Sequence, residues 1–454
     1  MRELKVTLTE EMLKNPLEFE LPTQTLYIDR SKVGNPEERS HNLIGFSRRN
    51  RYINELLIKL ATKGFFLVSS SNGNSRFEKF TTAKEFKPFV KRDNIQIYNN
   101  IYYTLEEPKL KFASNRLIVV FSSVADRAFN ADIATRNFFV NFETIYKYIP
   151  QNCYILRVSD IGGVIGNFYM NTTFSNTIED DIQGLLNYIL ETYNINKKDV
   201  VLYGSSKGAT ASLYHGILGN FRAICVDPVV SDEYHELYSG DSHFTKPCGE
   251  YKIYPQTKQD KFSKFIQNRE IEKDSIYIIY SKQSPIYNDI NSIVKKNDIE
   301  NKIIYLDVCH PKIKSHPDVA PNTINIFIAI LNNIFYNLGE IKSKEIDCLQ
   351  TSSLKEFKIK SYLKLTNLVI ESSIDFVKLR VYNKDLQEYK DIDLNIGTNK
   401  ISIFTLKGKL LSIVYMDKEY ELNIEVDNKT VLSKIVNKKR VTKDNKDFNY
   451  ISIS

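Results

Sequence analysis

The chain has 454 residues, too many for one simple core and enough for two or three domains that each bury an apolar interior. Hydrophobic residues at 42% and charged residues at 26% exclude a disordered chain. The net charge of +7 is small for this length and spread along the chain, which argues against a nucleic-acid partner and is compatible with anionic lipid or an anionic polymer.

The N-terminus, MRELKVTLTEEMLKNPLEFEL, carries charges throughout and has no apolar core of a secretory signal. Residues 1–110 read as an α+β region: SRRNRYINELLIKLATKG predicts a basic amphipathic helix ended by Gly64, and GFFLVSSS and IQIYNNIYYTL predict strands. From 111 to 345 short β-branched runs alternate with longer amphipathic stretches. The predicted strands are 116–123, 153–160, 199–205, 221–229, 275–281 and 301–308; the helical patterns between and after them are ATRNFFVNFETIYKY, IEDDIQGLLNYILETY, KGATASLYHGIL and TINIFIAILNNIFY. Six strands in this order predict an open α/β domain, a mostly parallel sheet with helices on both faces. Residues 231–273 are polar, rich in Tyr, His and Lys, and without period, as expected of a lid inserted over a site. Residues 350–454 alternate with period 2 in short runs, which predicts a small C-terminal β-sandwich, and the basic segment VNKKRVTKDNK reads as a solvated end.

Cys153, Cys225, Cys248, Cys309 and Cys348 are odd in number, widely spaced and include no CxxC, which fits thiols in a reducing compartment better than a disulfide framework. The longest apolar run, INIFIAILNNIFYNL, is broken by asparagines and falls short of the roughly 20 residues of a membrane span. The expectation is a cytoplasmic protein with no transmembrane segment, peripheral contact with a membrane being left open.

The segment with most chemical content is VVLYGSSKGATAS. Gly204-Ser205-Ser206-Lys207-Gly208 fits G-x-S-x-G, and an apolar strand enters it while an Ala-rich helix leaves it, the strand–turn–helix setting of a nucleophile elbow. A P-loop would need Gly-Lys-Ser/Thr in that order, so a phosphate-binding turn is the weaker reading. Ser206 is the expected nucleophile. Its base should lie in the loop after the last strand, CHPKIKSHPDVAPN, where His316 is favoured over His310. A metal pair of His310 with Cys309 or His316 lacks further ligands at a recognised spacing. The acid is expected after the penultimate strand at Asp289, which also reads as a helix cap; Asp227, at the end of AICVDPV, is the second candidate.

An oxyanion hole would use the backbone N–H of Lys207 and one from the loop after VVFSS, at Ser123 or Val124. The Lys207 side chain suits an anionic ligand or is simply solvated. The loop RVSDIGGVIGNFYMNT lies near the expected cleft and offers Asp160 and Tyr169 as candidate substrate-binding residues; GGVIGN is not the dinucleotide fingerprint G-x-G-x-x-G. His215 should pack on the helix after the elbow, and His235 and His243 belong to the lid. No DxD motif supports a glycosyltransferase.

Together VVFSS, LRVSDIGGVIGNFYMNT and LYGSSKGATASLYHG resemble the XcbB/CpsF group of capsular polysaccharide biosynthesis proteins, and more remotely the carbohydrate O-acetyltransferase component of the accessory Sec export system. The resemblance spans roughly residues 110–335; Ala209 stands where the family pattern has a second glycine. It implies a bacterial cytoplasmic enzyme with an α/β-hydrolase core, with Ser206, His316 and Asp289 in triad roles. It further implies a sugar or polysaccharide substrate and capsule-assembly proteins as partners. Glycan O-acetylation with acetyl-CoA as donor, and no resident cofactor or metal, is the first expectation. Glycan esterase or deacetylase activity at the same residues is the second, and a non-catalytic scaffold the third.

Overall fold

The computed structural model describes residues 1–34, 42–111, 114–124, 128–240, 243–348 and strands and turns within 357–453. His41 and the basic segment 436–446 lie outside the described residues. The chain divides into two compact units, Met1–Ile346 and Asp347–Ser454.

The first unit opens with a four-stranded sheet of β1 (Glu3–Thr7), β2 (Thr25–Asp29), β3 (Phe65–Ser71) and β4 (Asn74–Lys79), ordered β1-β2-β4-β3. Helix α1 (Leu43–Ser47) leads to α2 (Arg51–Thr62), the predicted amphipathic helix. Asn50 caps α2 by accepting the Ile53 N–H, and Ile53, Leu56, Leu57 and Leu60 bury its apolar stripe. Gly64 ends it at φ +83°, where a Cβ would meet the Phe80 carbonyl oxygen at 2.5 Å.

The second sheet has nine strands: β5 (Gln96–Tyr98), β6 (Ile101–Glu106), β7 (Asn115–Phe121), β8 (Cys153–Val158), β9 (Ile195–Ser205), β10 (Arg222–Val226), β11 (Ile276–Tyr280), β12 (Ile304–Cys309) and β13 (Lys344–Asp347). Their order is β13-β12-β11-β10-β9-β7-β8-β6-β5. The strands β7 to β12 run parallel, and the hairpin β5–β6 adds antiparallel at the β8 edge. The predicted N-terminal region therefore donates two strands to the central sheet.

Period-2 alternation explains why such continuous apolar runs make strands here. Leu117, Val119 and Phe121 face one core together with Ile182, Leu185 and Leu186 of α4 (Ile178–Thr192), while Ile118, Val120, Val201 and Tyr203 face another with Phe327, Ile330 and Leu331. Those last three lie on the helix Ile324–Tyr336, so both faces of the sheet are covered. Between β7 and β8 the single helix expected over 134–148 is broken into α3 (Ile133–Asn137), a loop and a 3-10 turn at Glu143–Lys147. Phe142 there adopts φ +47°, and the break frees Asn141 to bond at the site. The lid segment folds into α6 (Glu233–Ser239) and α7 (Lys258–Asn268); α5 (Lys207–Gly219) leaves the elbow.

In the second unit the described strands form two antiparallel sheets. One orders Gly397–Ser402, Asn367–Ser372, Phe357–Lys364 and Asn449–Ile453; the other orders Glu388–Leu394, Val377–Asn383, Leu410–Tyr415, Lys418–Val426 and Val431–Lys434. Among the described residues no disulfide is formed; Cys153 and Cys225 are buried and Cys348 is exposed. Among the described residues no single helix is long and apolar enough to cross a membrane.

Candidate active site

From β7 the chain passes to β8 on one side and then to β9 on the other, so the connections diverge at the carboxyl end of β7, where a parallel sheet opens a crevice. Ser206 sits there at the end of β9 with φ 54° and ψ −119°, a sparsely populated conformation for a residue with a Cβ. Its N–H donates to the Val226 carbonyl at 2.9 Å. The flanking glycines are required by contact: a Cβ on Gly204 would lie 2.1 Å from the Gly208 carbonyl carbon, and one on Gly208 would lie 2.3 Å from the Phe121 carbonyl oxygen.

Helix α5 leaves Ser206 fully buried at Ala209, Ala211 and Ser212, and Thr210 exchanges hydrogen bonds with the Val229 backbone, tying this helix to the segment after β10. That segment carries Asp227, whose backbone is held at φ +52° while its N–H donates to Ile279 O at 2.8 Å.

His316 opens the helix His316–Asn322. Ser315 Oγ and the Lys314 N–H donate to the Asp318 carboxylate at 2.7 and 3.1 Å, and the Asp318 N–H donates to Ser315 O at 3.1 Å, bonds that fix the turn presenting the imidazole. These contacts hold the Asp318 carboxyl below its usual range, with the Ser315 bond the largest cause. His316 Nε2 lies 2.7 Å from Ser206 Oγ and its Nδ1 lies 2.7 Å from Asp227 Oδ2. With Nδ1–H donating to the carboxylate, Nε2 is left as the acceptor for the serine hydroxyl. Ser284 Oγ donates to the same Asp227 oxygen at 2.6 Å. The chain brings together Ser206, His316 and Asp227.

Asp289 is not part of this cluster, which corrects the expected acid. It occupies the short turn Tyr287–Asp289 beside Asp232 and Glu233, and burial followed by these two charges pushes its pKa up to about 6. The loop after β11 does reach the site, but through Ser284, so the carboxylate comes one strand earlier. The sequence signal for this was AICVDPV, a strand running straight into an aspartate.

Asp160 and Tyr169 are also placed differently from the expectation. Both are buried, and Asp160 accepts the backbone N–H groups of Asn167, Phe168 and Tyr169, each at 3.1 Å. Its Oδ2 lies 2.7 Å from Lys207 Nζ. Lys207 is thus neither solvated nor free to meet an anionic ligand; it is half of an ion pair with side chains 1% and 0% exposed. The loop 160–169 wraps this pair, and a Cβ on Gly166 would lie 2.2 Å from Asp160 Oδ2. The Tyr169 hydroxyl accepts the Ser122 N–H at 2.6 Å and donates to Val158 O at 3.0 Å. The loop is scaffolding beneath the nucleophile.

The Ser123 N–H donates to Asn141 Oδ1 at 2.8 Å, so it is not an available oxyanion donor. Asn141 also donates to Ser123 Oγ and Ser205 Oγ, clamping the loop after β7 to the end of β9. Sequence reasoning missed Asn141 because it expected a helix there. Lys207, as the first residue of α5, has an N–H that no preceding helical turn uses, and Val124 follows Ser123 in the loop after β7.

Of the other histidines, His215 is buried in α5 with Nε2 2.9 Å from Tyr169 O, and its pKa falls to about 4 through burial. His310 accepts the Lys312 N–H in its loop. His235 and His243 from the lid stand beside the site, their ring centroids 4.2 Å apart and that of His235 6.3 Å from His316. Burial lowers the pKa of His235 to about 4 and holds that of His243 well below its ordinary value. Lys258 of α7 lies over the Phe168 ring and is ion-paired with Asp232. Between the lid helices is a cavity of about 360 Å³, bordered by Asp232, Glu233, Tyr254, Gln256 and Gln259 among others. Among the described residues no group of three His, Cys, Asp or Glu side chains could hold a metal ion.

No known protein-family profile and no curated protein matches the chain. Solved structures similar to part of it include the capsule O-acetyltransferase of Neisseria meningitidis serogroup A, at 17% identity over 54% of this chain and 98% of that one, with a TM-score of 0.39. A fluorophosphonate-binding serine hydrolase of Staphylococcus aureus matches at 15% identity over 53% of this chain and 94% of that one, TM-score 0.37. An S-formylglutathione hydrolase from Staphylococcus aureus matches at 13% identity over 52% and 92%, TM-score 0.34.

Proposed function

We propose that this protein is an acyltransferase that uses Ser206 as nucleophile and passes an acyl group to a hydroxyl of a glycan in bacterial capsule assembly. The observation that carries the reading is the pair of 2.7 Å contacts joining Ser206 Oγ, His316 and Asp227 on a strained elbow. A serine hydroxyl is a weak nucleophile until a base takes its proton, and an imidazole oriented by a buried carboxylate is that base.

Ser206 Oγ attacks the carbonyl of an acyl thioester such as acetyl-CoA while His316 Nε2 takes the hydroxyl proton. The C–S bond breaks, the thiol leaves with the proton from His316, and an ester remains on Ser206. An acceptor hydroxyl then attacks that ester, loses its proton to His316, and Ser206 recovers it as the C–O bond to the enzyme breaks. The Lys207 N–H, with Val124 N–H as its partner, would stabilise the oxyanion at each stage. Asp227 holds the imidazole tautomer and stabilises the imidazolium. Transfer in preference to hydrolysis would require water to be kept from the ester, and the lid, which sets His235 beside His316, is the element placed to do so. The glycan acceptor and the capsule setting rest on the sequence resemblance.

The test is labelling of the purified chain with a fluorophosphonate probe, with the modified residue read by mass spectrometry. Labelling at Ser206, lost in Ser206→Ala and in His316→Ala, is the expected result. A folded protein that does not label at Ser206 refutes the reading.

A further inference from the structure

The two lid histidines have no role in the chemistry above, yet their environment is costly. His235 Nε2 and His243 Nδ1 are buried, and among the described residues neither nitrogen has a hydrogen-bonding partner. A buried polar nitrogen left unpaired is costly, and in a native structure it calls for an explanation, a functional partner being one. His243 packs edge-on against Phe168 at 5.3 Å between centroids and leans on His235, which presents its ring towards His316. Nothing in the hydrogen-bond pattern of Ser206, His316 and Asp227 uses either ring.

The charge around the pair narrows what could bind. The two lysines closest to it are each matched, Lys207 by Asp160 and Lys258 by Asp232, and both imidazoles are neutral at pH 7. The lining therefore offers hydrogen-bonding nitrogens without net positive charge. That chemistry suits a neutral hydroxyl and gives no counter-charge for a phosphate or carboxylate.

We propose that His235, backed by His243, is the acceptor-binding residue of the site: its free ring nitrogen takes a hydrogen bond from, or gives one to, a hydroxyl of a neutral polyol acceptor beside His316. This rests on the acyl-transfer reading and concerns only the second half-reaction, in which the acceptor O–H attacks the Ser206 ester. No bond is made to His235.

The experiment supplies p-nitrophenyl acetate as donor and glycerol as acceptor to the full chain, and measures the ratio of acetylated glycerol to free acetate. Fluorophosphonate labelling of Ser206 is followed in parallel. The parent should label and should divert acetyl groups to glycerol in proportion to its concentration. In His235→Ala that diversion should fall about 10-fold, the worth of one hydrogen bond, while Ser206 still labels. His235→Asn, which keeps a polar group near the same place, should recover part of it. The inference is overturned if His235→Ala leaves the product ratio unchanged, if acetate and acetylated glycerol fall by the same factor, or if a parent that labels at Ser206 makes no acetylated glycerol. Absence of labelling in the folded parent refutes the underlying acyl-transfer reading instead.

Discussion

Replacing Asp227 by Asn keeps the shape of the side chain and removes the charge that faces His316. In the wild-type chain Asp227 is nearly inaccessible to solvent and its Oδ2 lies 2.7 Å from the imidazole Nδ1. In the proposed reaction His316 would take the Ser206 proton, and an imidazolium would form against that carboxylate. For charge centres about 4 Å apart in an effective dielectric of about 20 the attraction is about 4 kcal/mol, or about three powers of ten in rate. An amide that donates to Nδ1 would also favour the wrong tautomer, which leaves no lone pair on Nε2 for the serine, so a total loss of about 10³- to 10⁴-fold is expected. The assay is the second-order rate of fluorophosphonate reaction at Ser206, compared between Asp227→Asn and Asp289→Asn with thermal melting to establish folding. Asp289→Asn should react within about 3-fold of the parent, because its side chain makes no contact with His316. A folded Asp227→Asn that reacts at the parent rate, or a large loss confined to Asp289→Asn, would refute the assignment of the acid.

Two further outcomes follow from buried charges. Lys207→Met removes one partner of an ion pair with side chains 1% and 0% exposed, leaving the Asp160 carboxylate to its three backbone donors. A loss of about 3–5 kcal/mol in unfolding free energy is expected, read by urea denaturation, and a midpoint equal to the parent's would show the pair to be dispensable. Asp289 has a folded-state pKa of about 6 against an ordinary 3.8, so the folded chain holds its proton more tightly than the unfolded chain between those values. Its ionisation therefore lowers stability as pH rises from about 4 to 6, and the penalty persists above. Asp289→Asn should melt higher than the parent at pH 7 and the gap should close below pH 4; a lower melting temperature at pH 7 would contradict this.

The elbow was legible because its constraints are local. A strand, a serine between glycines and a slim helix are neighbours in sequence, and the close approaches that demand Gly204 and Gly208 lie within one turn or on the adjoining β7. His316 was legible for a related reason: the order of strands sets which loop returns to the cleft, and SHPD closes its own turn through the Ser315–Asp318 bonds. The strand pattern likewise followed from period-2 burial in runs such as LIVVF, where alternate residues enter different cores.

The acid was not legible, because both β10 and β11 end in loops that contain an aspartate and local sequence does not say which loop bends inward. Long-range contacts decide it: Thr210 ties α5 to the backbone after β10, and Ser284 arrives from the next loop to hold Asp227 in place. Asp160, Tyr169 and Lys207 were misread for the same physical reason. Polar residues near a cleft look like ligand-binding groups until burial is known, and here the carboxylate and the ammonium pair with each other while the carboxylate and the phenol bond the surrounding backbone. Asn141 was hidden inside an apparent helical pattern whose break is held by bonds from segments distant along the chain, among them those of Asn141 to Ser123, Ser205 and Arg157. Local sterics and periodicity thus wrote the Ser206 elbow, the place of His316 and the sheet into the sequence, whereas the pairing of buried charges and the choice of carboxylate beside His316 depend on which distant segments share a desolvated space.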